Sequence, residues 1–177
     1  MLHIRPAASG DMPAIAALYA HYVLHDTCTF ETVPPTADDM AARHAEVVAR
    51  GLPYLVAEHE GRVVGYASCN WFKPRPAYRF SAENSIYLAH GTGGRGWGGQ
   101  LLGALATAAE AVGVRQLIAV IGGSEHAASI GLHRSQGFVD AGVLKACGWK
   151  QGRWLDVVLM QKTLGAGGST PADDSAP

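Results

Sequence analysis

Residues 83–111, ENSIYLAHGTGGRGWGGQLLGALATAAEA, decide how the rest of the chain is read. Ser85, Ile86, Tyr87, Leu88 and Ala89 have strand character, but the glycine-dense run from His90 to Gly99 cannot continue a sheet. Beyond it Leu101, Leu102, Leu105 and Ala109 recur at helical spacing. The stretch therefore reads as strand, glycine loop and helix, with the glycines where the first N–H groups of a helix lack internal partners. Those groups and the positive end of the helix dipole together make a site for phosphate.

The loop admits more than one reading. Gly91, Gly93, Gly96 and again Gly94, Gly96, Gly99 satisfy G-x-G-x-x-G, the dinucleotide fingerprint. That fingerprint belongs after the first strand of a βαβ unit and expects an acid about 20 residues on. Here Glu110 falls inside the helix and Glu125 is the next acid. A second reading is a loop that merely turns the chain. A third is a cofactor whose diphosphate lies on the loop while its thioester arm runs back along the strand. Gly93, Gly94, Arg95, Gly96, Trp97 and Gly98 resemble the Q/R-x-x-G-x-G/A motif of the GCN5-related N-acetyltransferases, the GNAT superfamily, with Gly93 in place of Gln or Arg. The resemblance implies acetyl-CoA as the bound group. Ile86, Tyr87 and Leu88 would lie along its arm, and Gly93, Gly94, Arg95, Gly96, Trp97, Gly98 and Gly99 around its diphosphate.

Composition narrows the class of protein. With 177 residues, 48% hydrophobic, and a formal net charge of -1, the chain can bury a sizeable core and has no electrostatic bias toward nucleic acid or a membrane surface. Cys28, Cys69 and Cys147 are odd in number and widely spaced, which fits reduced thiols in the cytoplasm better than disulfides or a zinc site. Met1 to Pro6 carries no basic-then-apolar leader, and no apolar run reaches the roughly 20 residues of a membrane span.

In chain order, Leu2 to Arg5 reads as a short strand stopped by Pro6. Ser9 and Asp11 open a helix with Ile15, Leu18, Tyr19 and Tyr22 on its core face. His21 and His25, four apart but without a third ligand, edge that helix. Thr27 to Val33 is extended, and Thr36 with Asp39 caps a helix closed by Gly51. Tyr54 to Glu58 and Val63 to Cys69 form a hairpin, and Asn70 to Phe80 is an aromatic, basic loop stiffened by two prolines. After the central stretch come a buried strand at Gln116 to Ile121, a helix at Ala127 to Gln136, and a strand pair at Phe138 to Ala146 and Trp154 to Lys162. Gly148, Trp149, Lys150 and Gly152 fall in the loop of that pair, and residues 165–177 read as a disordered tail after a single domain over 1–164. The order β, α, α, β, β, β, α, β, α, β, β implies an α/β fold with a mixed, mostly antiparallel sheet and helices on both faces.

A longer pattern sharpens the resemblance. Lys73, Arg75, Ala77, Tyr78, Phe80, Ser81, Glu83, Ser85, Ile86, Tyr87 and Leu88 are similar to a motif of the phosphinothricin N-acetyltransferases, and the likeness runs on to Gly148-Trp149-Lys150 and Asp156-Val157. It implies an N-acetyltransferase acting on the amine of a small amino acid or glutamate-like toxin, in the manner of herbicide or antibiotic detoxification. Glu83 would be the base that takes the ammonium proton, and a strand N–H near Leu88 would stabilise the oxyanion. His126 and Ser129 occupy cofactor-contacting positions, with His126 in place of the usual Asn, and His133 stands where a general acid or second base is found. Lys73, Arg75 and Tyr78 would hold the substrate's carboxylate or phosphinate. No metal is implied, and the relatives' dimers imply a homodimer. Three rival readings are kept: a protein or peptide N-acetyltransferase, a non-catalytic acetyl-CoA-binding module, and a nucleotide-dependent oxidoreductase.

Overall fold

The computed structural model describes residues 1–172, so the part of the tail at 173–177 lies outside the described residues. The elements are β1 (His3–Pro6), α1 (Met12–His25), α2 (Ala37–Ala49), β2 (Tyr54–His59), β3 (Arg62–Trp71), β4 (Ser81–Leu88), α3 (Trp97–Ala111), β5 (Gln116–Gly122), α4 (Ala127–Ser135), β6 (Val139–Lys150) and β7 (Arg153–Thr163). Their order is the one read from the sequence. Seven strands form one sheet in the order β1-β2-β3-β4-β5-β7-β6. Among the described residues only β4 and β5 pair in parallel, and every other neighbour is antiparallel.

Alternation along the central strands sends successive side chains to opposite faces. Tyr66 and Tyr87 meet Tyr19 of α1 on one face, with ring centroids 6.4 and 4.8 Å away. On the other face Gly65 lies under α3, where a Cβ would meet Leu88 Cδ2 at 2.6 Å and Leu101 Cδ2 at 3.4 Å. Ile15 from the first face and Leu101, Leu102, Leu105 and Leu117 from the second are fully buried. The helix ends follow local chemistry. Thr36 Oγ1 accepts from the Asp39 N–H while the Asp39 carboxylate accepts from the Thr36 N–H, the reciprocal cap that starts α2. Glu60 and Gly61 turn the β2–β3 hairpin with φ of 50° and 72°, as a tight two-residue connection between twisted strands requires.

Several boundaries differ from the sequence reading. Thr27 to Val33, read as extended, is an irregular loop with bends between α1 and α2. Glu83 lies within β4 instead of before it, and Trp97, Gly98 and Gly99 form the first turn of α3 instead of the loop. Gly148, Trp149 and Lys150 belong to β6, whose hairpin turns at Gln151 and Gly152. Gly148 is required there by packing, because the Phe30 ring occupies the space a Cβ would take. Of the tail expected to be disordered, Arg115 Nη1 donates to Gly167 O at 3.0 Å and to Thr170 Oγ1 at 3.1 Å, so its first part turns against the body of the fold.

Candidate active site

A parallel pair that stops after four rungs opens the site. β4 and β5 run together from Ser81↔Gln116 to Asn84↔Ala119 and then part. On its other edge β4 stays paired with β3 as far as Gly65↔Leu88, and the Ala89 N–H donates to Val64 O at 2.8 Å. In an antiparallel ladder, alternate residues turn both backbone groups to the same side. Ile86 and Leu88 therefore turn theirs away from β3, into the gap. Tyr22 Oη, donating to Leu88 O at 2.6 Å, reaches in from that side.

The gap widens into a cavity of ≈ 670 Å³ whose wall includes Glu83, Tyr87, Gly96, Val120, His126 and His133. At one end lies the glycine loop. Gly94 and Gly96 have φ of 78° and 73°, and Gly96 forms the N-cap of α3 with no side chain bonded to the helix N–H groups. These positions need glycine because L side chains disfavour that conformation, and the uncapped N–H groups suit an anion. Gly98 is glycine for another reason. A Cβ there would press on Leu132 Cδ2 at 3.2 Å, holding α3 off α4.

Glu83 lies at the fork, on the face shared with Tyr87 and α1. Burial pushes its carboxyl above the ordinary carboxylate range, and the charge of Lys73 opposes the shift. On the opposite face His133 is 2% exposed. Its Nδ1 lies 2.8 Å from Ser129 O and its Nε2 2.9 Å from Asn84 Nδ2. A carbonyl only accepts, so Nδ1 carries the proton and Nε2 offers a lone pair to the Asn84 amide. Burial also lowers the pKa of the imidazole, which favours this neutral form. Neither the general-acid nor the second-base role read for His133 is arranged here, since in this tautomer Nε2 carries no proton and its lone pair is taken by the Asn84 amide. Cys28 also lines the cavity, where burial and Asp26 push its thiol up to about 12, which disfavours the thiolate.

Ile86, Leu88, Gly94, Gly98 and Ser129 also line the cavity, whereas Gly93, Arg95, Trp97 and Gly99 are not in its wall. The Trp97 ring is buried between the His59 ring, 4.9 Å away, and the Arg95 guanidinium, 5.0 Å away, so its role is packing. His126 is tied to the loop before α2, with Nε2 2.9 Å from Thr27 Oγ1 and 3.3 Å from Asp26 Oδ1. Lys73, Arg75 and Tyr78 are exposed and lie outside the cavity wall, the Lys73 Nζ standing over the Phe72 ring. His21 and His25 cluster with His90, and among the described residues no group of His, Cys, Asp or Glu is placed to hold a metal ion.

The sequence reading missed Asn84 and Lys150 and placed Tyr19 and Tyr22 in the core. Lys150 is 5% exposed, and its Nζ donates to Thr29 O at 2.8 Å, which pins the loop that forms one cavity wall. A lysine beside two tryptophans in a hairpin gives no sign of such an inward reach. Tyr19 and Tyr22 did show as one helix face, but that face also looks onto the cavity.

The sheet forks beside a glycine loop and a helix N-terminus, and residues 4–159 match the family model described as acetyltransferase (GNAT) domain. The chain belongs to the GNAT acetyltransferase family and is an N-acetyltransferase. Within the family it is 50% identical over 167 residues to a phosphinothricin N-acetyltransferase from Alcaligenes faecalis, covering 94% of this chain and 85% of the relative. It is 41% identical over 172 residues to an L-methionine sulfoximine/L-methionine sulfone acetyltransferase from Pseudomonas paraeruginosa, covering 95% of this chain and 98% of the relative. The crystal structure of a phosphinothricin acetyltransferase from Sinorhizobium meliloti in complex with acetyl-CoA superposes with a TM-score of 0.95 at 43% identity, covering 99% of this chain and 95% of that one. The dinucleotide reading falls with these matches, since the glycine loop follows the fourth strand of a mostly antiparallel sheet.

Proposed function

We propose that the chain transfers the acetyl group of acetyl-CoA directly to the amine of a small amino acid or a glutamate-like analogue of the phosphinothricin and methionine sulfone type. The observation that carries this reading is the fork itself. It joins two inward-facing backbone rungs, an uncapped helix N-terminus and a half-buried carboxylate in one cavity. Acetyl-CoA supplies the activated thioester. The N–H groups at Gly96 to Gly98 suit its diphosphate, and those of Ile86 and Leu88 suit the amides of its arm. One of these strand N–H groups is also the donor for the oxygen that gains charge as the amine adds. Glu83 takes the proton that the ammonium must lose, and the new C–N bond replaces the C–S bond. Lys73, Arg75 and Tyr78 stand on the loop beside Glu83 and would close on the substrate's carboxylate or phosphinate.

The same reading extends to the whole protein. One acetyltransferase unit spans residues 1–164 and works as a homodimer in the cytoplasm, where it would detoxify amino-acid analogues. Unpaired thiols at Cys28, Cys69 and Cys147 support the compartment. The apolar side chains exposed on the edge hairpin, Val139, Val143, Leu144, Trp149 and Trp154, support the dimer.

Glu83→Gln tests the mechanism. It keeps shape but loses proton acceptance, so kcat/KM near neutral pH should fall by about 10²-fold or more while acetyl-CoA affinity by calorimetry holds. Raising the pH should recover part of the loss by supplying free amine. Wild-type rates in a folded variant would remove Glu83 from the mechanism.

A further inference from the structure

A second cavity, of ≈ 190 Å³, lies between the sheet and α2, with Arg43 and Glu46 in its α2 wall. Strand register sets its floor. Residues two apart on a strand share a face, and directly paired residues stand side by side across strands. Glu83 pairs with Asn70, and the next residue on its face, Ser85, pairs with Ser68, which pairs in turn with Tyr54. Tyr87 and Tyr66 form the pair after that. Asn70, Ser85, Ser68, Tyr54 and Tyr66 all line this second cavity, and Ser85 and Tyr87 line the first as well. The small serines leave a trough in the sheet face. It starts at the two residues that flank Glu83, one along its strand and one across.

The walls of the trough hold donors with nothing to donate to. Tyr54 and Tyr66 are 5% and 3% exposed, and among the described residues neither hydroxyl has a hydrogen-bond partner. Asn84 Oδ1 is the one unpartnered polar atom sealed from water among the described side chains that are not exposed, so both hydroxyls open onto the cavity they line. Burial pushes both phenols above their ordinary range, and each keeps a proton to donate. Asn70 Oδ1 accepts from Arg50 and from the Trp71 N–H, which fixes the amide and leaves its Nδ2 as a further donor. The charges are already paired. Arg43 Nη1 and Nη2 donate to the Glu31 carboxylate at 2.7 and 3.0 Å, and Glu46 holds Arg50 at 2.7 Å. Such a wall suits a neutral acceptor, because an anion would meet two carboxylates whose counter-ions are taken. We propose that the trough takes the side chain of the amino-acid substrate, and that Tyr54 and Tyr66 select a neutral end group with doubly bonded oxygen, a sulfone, sulfoximine or carboxamide, over an anionic phosphinate or carboxylate. The proposal rests on the acetyltransferase reading above and names the substrate class for that site. The reach is right: the sulfur of methionine sulfone lies about 5 Å from its amine nitrogen when extended, and one same-face step from Glu83 to Ser85 is about 6.6 Å. An amine at Glu83 thus sets the sulfonyl oxygens over Ser85, facing the tyrosines, and leaves the α-carboxylate to the loop of Lys73, Arg75 and Tyr78.

The test measures acetylation of methionine sulfone, methionine and phosphinothricin by the full chain. Wild type should favour the sulfone in kcat/KM by about tenfold or more over phosphinothricin, and likewise over methionine, which has the same length without the oxygens. Tyr54→Phe combined with Tyr66→Phe should raise the KM for the sulfone about tenfold, equivalent to about 1.4 kcal/mol, and bring its advantage over methionine to within about twofold, while the KM for acetyl-CoA holds. The advantage is a ratio taken on one preparation, so loss of folded protein cancels. If the double variant does not fold, either single change should raise the sulfone KM about threefold. A sulfone KM that the tyrosine changes leave alone, or a wild type that prefers phosphinothricin, overturns the proposal. Absence of CoA release from acetyl-CoA by wild type with any amine would instead overturn the function it rests on.

Discussion

Glu83 and Lys73 are a pair whose electrostatics can be read in a pH profile. Burial raises the Glu83 carboxyl and the Lys73 ammonium holds that rise back. For the base role proposed for Glu83 the carboxylate is the working form, so activity should be present above its pKa and lost as the pH falls through it. Lys73→Ala removes the opposing charge, and the acid limb of kcat/KM should move to higher pH, more at low ionic strength than high because Lys73 is exposed. A limb that stays or moves down in a steady-state pH series would show that Lys73 does not act on Glu83. That Glu83, Gly94, Gly96 and Gly98 would come together at one cavity was legible in the sequence, because a strand, a glycine loop and a helix start follow one another there. Asn84 was not, because its meaning comes from His133, 49 positions away and joined to it only by the fold.

The fork between β4 and β5 is kept open by the loop of residues 26–31, which packs across the end of β5. A Cβ on Gly122 would meet Thr27 O at 2.6 Å and the Cys28 carbonyl at 3.2 Å, both backbone atoms. Gly122→Ala should therefore push this wall outward and cost about 1–3 kcal/mol, lowering Tm by a few degrees per kcal/mol and raising KM for the acyl donor. An unchanged Tm and KM in calorimetry and kinetics would mean the loop gives way freely. Element order was legible because helices and strands here carry clean periodicity and glycine or proline stops, as at Gly51, Gly113 and Gly137, each with positive φ. The end of β6 was not. Gly148 read as a turn residue, whereas it is a strand position emptied for the Phe30 ring, a contact no local pattern encodes.

At the scale of the molecule, β6 forms an edge strand, and apolar side chains of the β6–β7 hairpin face outward, Val139 on β6 and Trp154 on β7 being 65% and 64% exposed. A second copy covering this face should give a species of twice 18.6 kDa by light scattering, and Trp154→Lys combined with Val143→Asp should give the monomer. A monomeric wild type at micromolar concentration would contradict the dimer. The class of chemistry was legible from one loop and one motif, while the outward apolar face of the edge hairpin was not, because it comes from the pairing of β6 with β7. The central claim is tested most directly by CoA release from acetyl-CoA, measured with the intact protein over phosphinothricin, methionine sulfone, methionine sulfoximine, ordinary amino acids and short peptides. Turnover should be concentrated on the amino-acid analogues. Faster acetylation of peptides, or acetyl-CoA binding with no CoA released from any amine, would contradict it.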